Sequence, residues 1–115
     1  MPRAYTYSGR IKISRDDMVL LKQGRKKCTI RMGVAAVATE EITMTDGRTN
    51  VPVKIIKVDN SRKFRDLSDQ DAQNEGFESK DELIRDLRQY YPRAADEDNI
   101  TVIYFEAIDR TPTLF

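Results

Sequence analysis

The chain contains no histidine, and its 115 residues include one cysteine, Cys28. A lone cysteine forms no internal disulfide, and without histidine the common zinc sites and the Ser-His-Asp and Cys-His catalytic arrangements are excluded. No apolar run approaches the roughly 18–20 residues that cross a bilayer, and the start MPRAYTYSGR lacks the apolar core of a signal peptide. We therefore expect a cytoplasmic protein that does not associate with membranes. Its chemistry would rest on lysine, threonine, carboxylates or backbone groups, and neither a metal nor a cofactor is implied.

Hydrophobic residues make up 39% and charged residues 34% of the sequence. With no internal repeat and no Pro/Gly/Ser linker, this length and composition predict one domain over 1–115 with a modest core. The net charge of +1 hides an uneven distribution. Residues 1–31 carry nine Lys/Arg against Asp16 and Asp17, whereas residues 66–109 carry thirteen Asp/Glu against four basic residues. Clustered cations can face nucleic-acid phosphates. They can equally form one of two solvated faces that attract each other within a fold.

YTYSGRIKI alternates Tyr5, Tyr7, Gly9, Ile11 and Ile13, the period of a half-buried strand. Ser14 can cap a short helix with Met18, Leu20 and Leu21 on its apolar side and Gly24 at its end. CTIRM alternates again, pointing Cys28, Ile30 and Met32 one way and Thr29 and Arg31 the other. In VAAVATEEITMT the second half reads as a strand, and the turn signal DGR joins it to NVPVKIIKV as a hairpin, with Pro52 near the strand start. Ser68 caps a short helix that stops at Gly76. Ser79 and Glu82 form a capping box for a second, which buries Leu83, Ile84, Leu87 and Tyr91. NITVIYFEAI, apolar on both faces, reads as a central strand. About five strands and two or three short helices predict an α+β domain on a small mixed or antiparallel β-barrel.

LLKQGRKKCTIRMG, FRDLSDQDAQNEGFESKDELIRDLRQYYP and ITVIYFE, in that order and at these separations, resemble the ASCH domain family, whose fold is similar to the PUA RNA-binding barrel. The resemblance covers nearly the whole chain. It implies a basic cleft for RNA or a nucleoside, with Arg25, Lys27 and Arg31 as ligand- or RNA-binding residues. The segment VAAVATEEITMTDGR departs from the family pattern, standing where a Gly-Asp turn would follow TIR.

One branch of the family comprises small amidohydrolases that deacetylate acetylcytidine with a lysine, a threonine and a glutamate. Carried over by position, these match Lys26, Thr29 and Glu75. In that scheme a neutral lysine takes the threonine proton, the alkoxide attacks the amide carbonyl, and the carboxylate orients or protonates the groups around it. The scheme needs Lys26 to lose its proton near neutral pH, against an ordinary value of about 10.4. Plainer readings stand beside it. Strand alternation groups Lys27, not Lys26, with Thr29, and a solvent-side threonine is a good β-former. Glu75 near a helix end reads as a solvated carboxylate, and Tyr90 and Tyr91 read as core residues. Three functions are open: a non-catalytic RNA-binding module, an amidohydrolase acting on a modified nucleoside, and an RNA-cleaving enzyme. The third is disfavoured by the lack of histidine.

Overall fold

The computed structural model describes residues 4–108, with side chains from residue 6 onward. The Tyr5 side chain, and Arg3 and Asp109 in the charge pattern, lie outside the described residues. The chain runs β1 (Ala4–Tyr7), β2 (Arg10–Lys12), α1 (Arg15–Lys22), β3 (Cys28–Met32), β4 (Val34–Val37), β5 (Glu41–Thr45) and β6 (Asn50–Lys63). A 3₁₀ turn (Phe64–Asp66), α2 (Asp69–Glu75), α3 (Lys80–Tyr90) and β7 (Asn99–Ala107) follow. Five strands form one mixed sheet in the order β2-β5-β6-β7-β3, and β1 pairs with β4 in parallel as a second, two-stranded sheet. The protein is therefore α+β. No helix among the described residues is long and apolar enough to cross a membrane.

Two expectations about strands are corrected. YTYSGRIKI is not one strand, because Gly9 takes a φ of 79° and divides it between the two sheets. VAAV is also a strand, so the described residues contain seven rather than about five. Its place is secured by Thr101, fully buried on β7. The Thr101 hydroxyl accepts the Ala35 N–H at 2.8 Å and donates to the Gly33 carbonyl at 2.8 Å.

β7 explains why its sequence is apolar on both faces. Ile100 and Val102 pack with Cys28, Ile30, Phe64, Leu83 and Leu87 in a core beneath α2 and α3. Ile103 and Phe105 point the other way, into a second core with Ile11, Met18, Leu21 and Met44. α1 and α3 dock on the sheet through amphipathic stripes. Ser14 and Ser79 cap them by accepting the Asp17 and Glu82 N–H groups. The box at Ser79 is half formed, since the Glu82 carboxylate takes the Glu78 N–H instead. The complete box belongs to α2, between Ser68 and Asp71. Asp71 is also gripped by Arg62 of β6 at 2.9 and 2.5 Å.

Candidate active site

β3 is an edge strand, pairing with β7 on one side only. Its other edge would present unpaired N–H groups, and the C-terminal end of α2 covers them. The Lys27 N–H donates to the Asn74 carbonyl at 2.6 Å, and the Ile30 N–H donates to Glu75 Oε1 at 3.1 Å. Gly76, with a φ of 99°, ends the helix at once, and Arg25 donates to its carbonyl at 3.1 Å. The basic run Arg25–Lys27 thus lies against the negative end of a helix dipole.

Glu75 is buried, as is Lys26, whose Nζ lies 3.0 and 2.9 Å from the two carboxylate oxygens. Asp17 Oδ2 is 4.0 Å from the same nitrogen. Burial opposes the Lys26 charge, but the Glu75 and Asp17 carboxylates outweigh it and hold the ammonium above its ordinary pKa. Burial pushes the Glu75 carboxyl up to about 7, against the pull of Lys26. Burial also drives the Cys28 thiol well up, so this neighbour stays an inert core group. A neutral Lys26 is therefore not the resting state. The more easily exchanged proton belongs to Glu75.

Thr29 and Glu75 open onto one cavity of about 340 Å³. Its wall consists of Lys12 to Ser14 with Asp17 on one side and Asp86, Tyr90 and Tyr91 on the other, and Arg31 completes the β3 edge. Thr29 is buried rather than solvent-facing, set in the wall of this cavity between the Lys12 to Ser14 side and the α3 side. Its hydroxyl accepts from Arg31 Nε at 3.2 Å. The Arg31 guanidinium also donates to the Lys12 carbonyl at 2.8 Å and sits 5.7 Å from the Tyr7 ring centre. The structure does not bring Arg25, Lys26 or Lys27 to the wall of this cavity, and Lys26 reaches it only through its contact with Glu75. Lys26 and Lys27 instead line a separate, larger one of about 680 Å³, beside Lys57 and Tyr104.

The basic cleft implied by the sequence is here a mixed one, with Asp17, Glu75 and Asp86 facing Lys12 and Arg31. Tyr90 is 55% exposed rather than core. Sequence reasoning missed Lys12, Asp17 and Asp86 as lining residues. One signal was available: Asp86 sits three residues after Leu83 and four before Tyr90, placing an acid beside the buried stripe of α3.

No family model matches the chain, and no curated protein matches it. Solved structures do. The hypothetical protein PH0355 superposes with a TM-score of 0.64 at 20% identity, over 89% of this chain and 100% of that one. An ASCH domain from Lactobacillus crispatus JV V101 gives 0.65 at 14% identity, over 87% of this chain and 79% of that one. Protein EF3133 from Enterococcus faecalis V583 gives 0.60 at 19% identity, over 84% and 68%. At these identities the likeness speaks for the fold alone, which this chain shares with that ASCH domain, as the sequence resemblance implied.

Proposed function

We propose that the 340 Å³ cavity binds a modified nucleoside and hydrolyses the acetyl amide of acetylcytidine, with Thr29 as nucleophile and Glu75 and Lys26 as its partners. The observation that carries this reading is the Thr29 hydroxyl opening onto the same cavity as the buried Glu75 carboxyl, which burial pushes up to about 7. A carboxylate with that pKa accepts a proton near neutral pH, a task for which a charged Lys26 is unsuited. Thr29 Oγ1 attacks the amide carbonyl carbon while its proton passes to Glu75. The positive charge of Arg31 at the cavity wall, and at longer range that of Lys26 behind Glu75, stabilises the oxyanion. As the C–N bond breaks, Glu75 returns the proton to the leaving nitrogen, giving cytidine and an acetyl ester on Thr29. Water then hydrolyses the ester, releasing acetate and restoring the hydroxyl. The cavity is at the small end of the usual ligand range of roughly 300–1,000 Å³, which suits one nucleoside. This reading places the activity in the cytoplasm, where RNA is turned over.

A second reading is RNA binding without chemistry. It is favoured by Lys27 and Lys57 in the larger cavity, where the Lys57 ammonium lies 6.0 Å from the Tyr104 ring centre. Cations beside an aromatic ring suit single-stranded nucleic acid. Incubation with acetylcytidine, with the products resolved by chromatography, tests the first reading. Release of equal amounts of cytidine and acetate supports it, and an unchanged substrate removes the hydrolytic role.

A further inference from the structure

The three carboxylates that open onto the cavity are unequally provided for. Glu75 is held by Lys26, and Asp17 lies 4.0 Å from the same ammonium. Asp86, half-buried on α3, has no hydrogen bond or ion pair within the described residues. Its surroundings add to the cost. Asp17 and Asp16 of α1 repel its charge, and Lys26, committed to Glu75, draws on it. Burial and these acids together push its pKa up. A partly desolvated carboxylate in this position gains most from a ligand that supplies an N–H or O–H donor without bringing negative charge.

Resting on the nucleoside reading above, we propose that Asp86 is a specificity-determining residue of the cavity. Its carboxylate accepts a hydrogen bond from the ligand and turns away the same nucleoside when it carries a phosphate. The rest of the wall fits this division. Leu87 and Tyr90 on the same helix, and Tyr91 just past its end, supply apolar surface for an uncharged ring, while Lys26 is taken up by Glu75 and leaves Lys12 and Arg31 as the cations facing Asp17 and Asp86.

The test is calorimetric titration of the full chain with cytidine and with cytidine 5′-monophosphate, for the parent and for Asp86→Asn. The variant keeps the shape and removes the charge, and circular dichroism checks its fold. The parent should prefer cytidine by about tenfold or more, since like charges brought together are strongly disfavoured. In Asp86→Asn that preference should shrink by about tenfold, chiefly through tighter nucleotide binding, and the gain should fade as salt rises. An unchanged preference in Asp86→Asn overturns the assignment of Asp86 while leaving the nucleoside reading intact. Absence of binding by either ligand to the parent overturns both.

Discussion

Lys26 Nζ donates to both carboxylate oxygens of Glu75, two buried side chains 49 residues apart in sequence. Removing one partner of such a pair leaves the other in a low-dielectric site. The two removals should differ. Glu75→Leu strands a buried ammonium with Asp17, 4.0 Å away, as its remaining counter-charge, and should cost about 3–5 kcal/mol in urea unfolding. Lys26→Met should cost less, because Glu75 can take up a proton, and Lys26→Met with Glu75→Leu should recover part of the single-variant loss. Equal costs for the two single variants would argue against this protonation behaviour.

The pair also sets a pH dependence. The Glu75 carboxyl is raised from an ordinary 4.5 to about 7, so the folded chain holds this proton more tightly than the unfolded chain does. Its contribution to stability is fully present below pH 4.5 and is lost as pH rises to about 7. The difference in stability between the parent and Glu75→Gln, measured by denaturant titration at several pH values, should shift against the parent across that window. Turnover should move in the opposite sense, rising toward a plateau above about pH 7 as the carboxylate form fills. A difference curve flat between pH 4.5 and 7 would contradict the shift.

Thr29 and Arg31 should separate chemistry from binding. Thr29→Val keeps the shape and deletes the hydroxyl, so acetate release should vanish with most ligand affinity retained. Arg31→Ala removes a charge-assisted donor and should weaken binding by about 1–3 kcal/mol. Titrations of cytidine alongside an acetate assay read both. Undiminished acetate release by Thr29→Val would exclude Thr29 as nucleophile.

Thr101 joins β7 to the segment around β4 through two hydrogen bonds. Thr101→Val should strand the Ala35 N–H and the Gly33 carbonyl and cost about 1–3 kcal/mol for each group left unpaired. Thr101→Ser keeps the hydroxyl and should lose much less. Thermal unfolding of the two variants decides, and equal melting temperatures would show that the bonds contribute little.

Leu83 is fully buried in the core beneath α3. Leu83→Ala should cost about 2–5 kcal/mol in urea unfolding through lost burial and the cavity left behind. A loss under about 1 kcal/mol would mean that the helix presents another face to the sheet.

The sequence by itself determined the short-range features. Ser14, Ser68 and Ser79 mark helix starts because a cap acts within three residues, and Gly76 marks a stop because an αL residue suits glycine. The central position of β7 was legible because two apolar faces require two cores. Local pattern failed where long-range pairing took over. YTYSGRIKI alternates through Gly9, yet β1 and β2 leave for different sheets because β4 and β5 offer two separate edges. Likewise VAAV carries no clear period, and it is a strand because β1 and Thr101 satisfy its backbone. Alternation did not place Lys26, which precedes β3 and is turned inward by Glu75. Whether GRKK forms a basic cleft or neutralises a helix end depends on where α2 docks. Only the tertiary structure brings the C-terminal end of α2 onto the open edge of β3. That contact buries the Lys26 charge with its counter-charge and shifts the more mobile proton to Glu75.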